Sequence, residues 1–139
     1  MTDIDTLLLS RIYQLAKICV IEYEAILPKI KNADIQTLLS NQSSNYDLIV
    51  KECSTLAKAN NVALPESTFF KRCHETIATN FETLKFNTLD PLITCGTITS
   101  LHILMDIYDL ESASSETISI AKHFKALQDN FLNALAEIK

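Results

Sequence analysis

The chain has 139 residues, of which 47% are hydrophobic and 21% are charged, and its formal net charge is −5 at pH 7. This length suits a single core, and the composition is typical of a folded globular protein and not of a disordered one. The negative charge, without any cluster of Lys and Arg, disfavours nucleic acid and anionic membranes as partners. We therefore expect one domain over residues 1–139 that binds neither nucleic acid nor membranes.

The sequence contains one glycine and three prolines. Tight hairpins and phosphate-binding loops need glycine, so this composition predicts an all-α fold. The apolar runs are shorter than the roughly 18 residues that a membrane-spanning helix requires, and the acidic start does not resemble a signal peptide. We expect a cytoplasmic protein whose four cysteines, none of them in a CxxC pair, are reduced core residues.

The first predicted helix runs from about Ile4 to Leu27, because apolar residues recur at helical spacing and Pro28 follows. Glu22 falls within the apolar stripe and is expected to point inward, whereas Glu24 is expected to face water. The stripe consists of Leu8, Ile12, Leu15, Cys19 and Ile26, widened by Leu9, Ala16, Val20 and Tyr23.

The second predicted helix begins near Asn32 or Ala33 and ends at about Asn60. Ser43 and Tyr46 interrupt its apolar face, and both are expected on the inner side. An asparagine pair at its end suits the left-handed conformation that often ends a helix. The inward apolar residues are Ile35, Leu39, Ile49, Val50, Cys53, Leu56 and Ala57.

Three further helices are predicted in the second half of the chain. A shorter one covers Glu66–Lys85, and the next begins at Pro91 with Asp90 as its N-cap. The last begins after Ser114, its expected N-cap, and continues to about Ile138. Four long helices and a shorter one, joined by short polar turns, predict a helical bundle.

The order of the helices and two short stretches resemble the ferritin-like superfamily. These stretches are LAKANNVALP, at the end of the second helix, and TSLHILMDIYDLES, in the fourth. Within the superfamily the chain looks most similar to small bacterial bundle proteins of unassigned function. The resemblance implies an up-down four-helix bundle with one additional shorter helix. In relatives that bind a metal pair, two helices each provide a Glu and two each provide a Glu-x-x-His, all pointing inward.

Carried over position by position, the resemblance implies a polar cluster in the core. The expected cluster consists of Glu22, Ser43, Tyr46, His102 and Asn130. Glu22 and His102 match the metal ligands of the family, whereas the second-helix pair reads Ser-x-x-Tyr in place of Glu-x-x-His. Neutral side chains do not offset the charge of two buried cations, so the resemblance implies a degenerate metal site.

The function expected from this pattern is non-enzymatic binding or interaction, without a cofactor and with a second copy or another protein as partner. One alternative is a metal-dependent oxidoreductase or metal-binding protein that holds a single divalent metal at Glu22 and His102, with Asp106 nearby. Another is a small-ligand carrier with a pocket between the helices near Tyr46. Glu22 and His102 paired in the core without any chemistry would explain both residues equally well.

Overall fold

The structure is a computed structural model that describes residues 1–64 and 113–137. These residues form three α-helices and one 3₁₀ turn, with no β-strand among them. The elements are α1 (Asp3–Ile26), the turn (Leu27–Lys29), α2 (Ala33–Ala59) and α3 (Ser115–Glu137). The all-α prediction is confirmed for this part of the chain. The predicted third and fourth helices, and with them His102 and Asp106, lie outside the described residues.

The ends of α1 to α3 lie within one or two residues of the predicted positions, because local capping signals fix them. Asn32 caps α2: its Oδ1 accepts hydrogen bonds from the backbone N–H groups of Asp34 and Ile35, at 2.9 and 3.1 Å. At the other end of α2, Asn61 has a φ of 55°, the left-handed conformation expected for the asparagine pair.

α2 runs antiparallel to α3, as two side-chain contacts show. Gln42 Nε2 donates to the backbone oxygen of Leu127, and Glu52, further along α2, contacts His123, which comes earlier in α3. The residue numbers therefore rise on one helix while they fall on the other. α1 and α2 are joined by a short connection and pack closely, which makes them an antiparallel hairpin.

α1 and α3 are parallel. Asp5 and Ser114 meet at the start of both helices, and Tyr23 and Phe131 meet near their ends. Since α2 returns to the end of the molecule at which α1 begins, residues 60–64 and residue 113 lie at that same end. No helix among residues 1–64 and 113–137 is long and apolar enough to span a membrane.

One hydrophobic core joins the three helices, and each contributes a stripe of buried residues at helical spacing. Cys19 and Cys53 lie in this core as expected, and burial raises the pKa of the Cys53 thiol to about 12. The most deeply buried large side chains are Leu8, Leu9, Ile12, Tyr23, Tyr46, Ile49, Thr117, Phe124 and Gln128.

A group of four residues, the terminal capping cluster, joins the starts of α1 and α3. It consists of Thr2, Asp5, Ser114 and Thr117. The Asp5 N–H donates to Thr2 Oγ1 at 3.2 Å, and Asp5 Oδ2 accepts from the Thr2 N–H at 3.1 Å and from its hydroxyl at 2.8 Å. The other carboxylate oxygen of Asp5 accepts from the Ser114 N–H at 2.6 Å. Ser114 caps α3, as predicted, through the Thr117 N–H.

The hydrogen bonds of the terminal capping cluster determine the charge state of Asp5. Burial of this carboxyl group opposes its ionisation, but the N–H of Ser114 and both donors of Thr2 lower its pKa well below the usual range. Asp5 is therefore a buried, ionised carboxylate whose oxygens are bonded by neighbours on two helices.

Candidate functional site

Four polar side chains meet inside the three described helices, and we call them the interior polar cluster. They are Tyr23 on α1, Gln42 and Tyr46 on α2, and Gln128 on α3. Each exposes between 1% and 4% of its surface, so all four lie in the core. Polar groups at such depth destabilise the fold unless they are hydrogen-bonded, which makes this cluster the most informative feature of the interior.

Aromatic contacts hold the two tyrosines of the cluster in place. The ring centroids of Tyr23 and Tyr46 are 5.6 Å apart. Tyr46 also packs edge-on against Phe124 at 5.4 Å, and Tyr23 packs against Phe131 at 5.6 Å. These separations are within the favourable range for aromatic pairs. The interior at this level is thus filled by rings from all three helices.

The hydrogen bonds of the interior polar cluster are incomplete. Gln42 Nε2 donates to the backbone oxygen of Leu127 at 2.9 Å, and Gln42 Oε1 accepts from Asn45 at 3.4 Å. In contrast, the Tyr23 hydroxyl and both the nitrogen and the oxygen of the Gln128 amide are buried without a hydrogen-bond partner among the described residues. One side chain of the cluster is therefore anchored, while two keep unused hydrogen-bonding capacity.

The pKa values of the two tyrosines report the low polarity around them. Burial raises the pKa of Tyr46, with a further contribution from Cys19, whereas Gln42, Tyr23 and Gln128 lower it. Burial also raises the pKa of Tyr23 well above its ordinary value, reinforced by Tyr46 and Cys19. Both hydroxyls stay protonated at neutral pH. The Gln128 amide is close enough to the Tyr46 hydroxyl to lower its pKa, although the two groups do not meet the geometry of a hydrogen bond.

Ser43 and Tyr46 do not share the inner face of α2, so that part of the predicted cluster is wrong. Tyr46 is buried, whereas Ser43 is half-buried and lines a surface groove beside Val20 and Glu24. Residues three apart on a helix differ by roughly 60° in direction, which takes Ser43 past the edge of the buried face. Gln42, one turn before Tyr46, is the second inward polar residue of α2.

The predicted acid of α1 lies at the margin of the core. Glu22 is partly buried, and its neighbour Tyr23 is the residue that points to the centre. Burial raises the pKa of Glu22 to about 7. Glu24 is exposed, as expected. Tyr23, seven residues after Ala16, was part of the predicted apolar stripe, and its burial confirms that prediction.

Asn130, the expected cluster member on the last helix, is exposed, which corrects that prediction. Gln128, two residues earlier, is buried in its place. Two residues on a helix turn the side chain by about 200°, so an error of two positions moves a residue to the opposite face.

Of the predicted metal ligands Glu22 and His102, only Glu22 lies among the described residues, and three of the described members of the predicted polar cluster do not converge. Glu22 lies at the core margin, Ser43 in a surface groove and Asn130 on the exposed face of α3. Among residues 1–64 and 113–137, no three His, Cys, Asp or Glu side chains are grouped so that they could hold a metal ion.

A groove of about 680 Å³ lies on the surface between α2 and α3, and we call it the α2–α3 groove. Leu48 borders it and leaves 52% of its surface exposed. Close to it, the His123 Nδ1 lies 3.1 Å from the Glu52 carboxylate, which joins the two helices at the surface. The lining residues are Leu48, Lys51, Glu52, Thr55, Leu56, Ala59, Ser115, Glu116, Ser119 and Ile120.

No protein-family model matches the sequence, and no curated protein or solved structure matches it either. The resemblance to the ferritin-like superfamily thus rests on the two sequence stretches and the order of helices. It stays a prediction.

Proposed function

We propose that the chain is a ferritin-like helical bundle with a degenerate metal site that acts as a non-enzymatic binding or interaction protein. The observation that carries this proposal is the separation of Ser43 from Tyr46. A metal pair needs both ligands of a helix to point into the same interior space. Here one of the two lines a surface groove, and the other is packed between the rings of Tyr23 and Phe124.

The directions of the described helices support the bundle. α1 and α3 are parallel, α2 is antiparallel to both, and residues 64 and 113 lie at one end of the molecule. A chain that leaves and returns at the same end crosses the molecule an even number of times. The two helices predicted between these residues would complete an up-down bundle in this way.

The α2–α3 groove is the surface that best suits an interaction. Apolar side chains of Leu48, Leu56 and Ile120 line it, and the charged groups of Lys51 and Glu116 border them. An apolar floor with a charged rim is typical of grooves that accept an amphipathic helix. We propose a second copy of this chain as the partner, since α1 exposes the apolar side chains of Ile4 and Leu7, one turn apart, and such a groove can accept them.

Sedimentation of wild-type protein and of Leu48→Lys tests the interaction. We expect wild type to form an oligomer and Leu48→Lys to be monomeric, because a charge in the groove would be desolvated on association. Asn133→Lys places the same charge at an exposed position of α3 outside the groove and should leave the oligomer unchanged. A wild-type protein that is strictly monomeric would contradict the proposed interaction.

Glu22 favours a second candidate, a single-metal protein. Its pKa is raised to about 7 by burial, and a nearby cation would favour the ionised form. Under the main proposal, protein purified without chelator contains substoichiometric iron, manganese and zinc. One tightly held metal per chain that is lost in His102→Ala but kept in the surface variant His123→Ala would establish the second candidate instead.

A further inference from the structure

Two side chains in the core have hydrogen-bonding groups that the described protein leaves unpaired. Tyr23 exposes 1% of its surface and Gln128 exposes 2%. The Tyr23 hydroxyl and the Gln128 amide nitrogen and oxygen all lack a partner among the described residues. Buried polar atoms of this kind are rare in folded proteins and usually indicate a bound molecule.

The unpaired groups lie together. Tyr23 is in ring contact with Tyr46 and with Phe131. Gln128 is buried on α3 between Phe124, which packs against Tyr46, and Phe131. The site therefore combines two donors, the Tyr23 hydroxyl and the Gln128 nitrogen, with the amide oxygen of Gln128 as acceptor.

The occupant must be neutral and able both to donate and to accept hydrogen bonds. The raised pKa values of the two tyrosines indicate a low-polarity environment in which an ion would be strongly disfavoured. The rings of Phe124 and Phe131 pack against the two tyrosines, so the surroundings of the site are largely apolar. Water is the smallest molecule that meets both requirements, and internal water typically makes about three hydrogen bonds to buried groups.

We propose that the interior polar cluster is a binding site for one internal water molecule, which bridges the Tyr23 hydroxyl and the Gln128 amide. This site joins α1 to α3, whereas the Gln42 bond to Leu127 joins α2 to α3. The site is independent of the proposed interaction, because no residue of the cluster lines the α2–α3 groove.

A double-mutant cycle with Tyr23→Phe and Gln128→Met tests the bridge, because both changes keep side-chain volume and remove the polar atoms. We expect each single variant to lower the folding equilibrium constant by about tenfold. The folding equilibrium constant of the double variant should fall by much less than the product of the two single decreases, because one water bonds to both groups. If the Tyr23 hydroxyl and the Gln128 amide have no partner at all, each single variant should be more stable than wild type. The two changes in the folding equilibrium constant would then simply multiply, and this result would overturn the proposal.

Nuclear magnetic resonance separates a water bridge from a direct bond between the side chains. We expect cross-relaxation between a long-lived water and the Gln128 amide protons, lost in Tyr23→Phe and kept in Tyr13→Phe, a partly buried tyrosine outside the cluster. A folded wild-type protein without this signal would refute the bridge. So would a stoichiometric organic compound released on denaturation, because it would make the cluster a ligand pocket.

Discussion

The terminal capping cluster, built around the buried Asp5, and the interior polar cluster differ in how their buried polar groups are paired. In the terminal capping cluster, the Asp5 carboxylate accepts three bonds from Thr2 and Ser114. In the interior polar cluster, Tyr23 and Gln128 have no partner among the described residues. The comparison shows that burial alone does not say whether a polar group stabilises the fold. The sequence separation of the partners matters as well.

Short sequence separations make the pairing of Asp5 with Thr2 simple, whereas its bond from the Ser114 N–H joins residues 109 apart. Thr2 and Asp5 are three residues apart, so the geometry of a helix start brings them together. The members of the interior polar cluster come from three helices, and their distances depend on how those helices pack. Such groups leave gaps that a small molecule can bridge.

The largest expected effect comes from removing a ring of the interior polar cluster. Tyr46→Ala should lower the free energy of unfolding by about 3–5 kcal/mol, because it leaves a cavity between Tyr23 and Phe124. Urea denaturation measures this change. Tyr13→Ala, a partly buried tyrosine on α1, is the matched control and should cost clearly less. Equal losses would mean that the interior rings are not tightly packed.

Two carboxylates should respond to pH in opposite directions. The pKa of Glu22 is about 7 in the folded chain against an ordinary value of 4.5, so the folded state binds the proton more tightly. The contribution of Glu22 to the free energy of unfolding is fully present below pH 4.5. It decreases by roughly 2–3 kcal/mol as the pH rises towards 7. Asp5 has a lowered pKa, so its contribution is present above pH 3.8 and is lost as the pH falls further.

Denaturation of Glu22→Gln across this pH range isolates the first effect. The free energy of unfolding of the variant should not fall between pH 4.5 and 7, and the variant should be more stable than wild type at pH 8. Glu24→Gln, at an exposed position two residues on, should keep the wild-type profile. An unchanged profile in Glu22→Gln would show that Glu22 ionises normally.

Removing the terminal carboxylate tests whether complete pairing stabilises the chain. Asp5→Ala should cost about 2 kcal/mol, because it removes the capping box of α1 and leaves the N–H of Ser114 without its acceptor. Asp3→Ala, in the same first turn but exposed, should cost less than about 0.5 kcal/mol. Thermal unfolding of both variants at pH 7 gives the comparison. Similar losses would argue against a special role for Asp5.

The smallest effect is expected at Ser43, which the sequence pattern placed in the core. Ser43→Ala should change the free energy of unfolding by less than about 0.5 kcal/mol, since the side chain lines a surface groove. Gln42→Ala should cost about 1–2 kcal/mol, because it removes the bond to Leu127 across two helices. Chemical denaturation of both variants measures these changes. A larger loss of stability in Ser43→Ala than in Gln42→Ala would indicate that Ser43, and not Gln42, points into the core.

Helix limits were predictable to within one or two residues, whereas the interior polar residues were not. Asn32 and Ser114 cap helices through atoms of their own neighbourhood, so their role can be read from a short stretch. The direction of a side chain inside a bundle depends on the rotation of the whole helix. An apolar stripe leaves that rotation uncertain by about one residue, or roughly 100°.

This uncertainty explains why Glu22 lies at the core margin although it was expected to point inward, and why Gln42 takes the core position expected for Ser43. The family resemblance did not correct it, because the carried-over positions assume the rotation of the relatives. The unpaired atoms of Gln128 could not be predicted from the sequence for a further reason. Hydrogen bonding between helices depends on distances that only packing determines.

The bond from the Ser114 N–H to Asp5 spans 109 residues, and this has a consequence for the order of events during synthesis. The start of the chain leaves the ribosome long before Ser114, which provides the N–H donor at the start of α3, is made. The hairpin of α1 and α2 can therefore form first, with the capping box of Thr2 already closed. We expect Asp5 to keep one carboxylate oxygen in water until the last helix arrives. The last hydrogen bond of Asp5 therefore forms only after the start of α3 has been made.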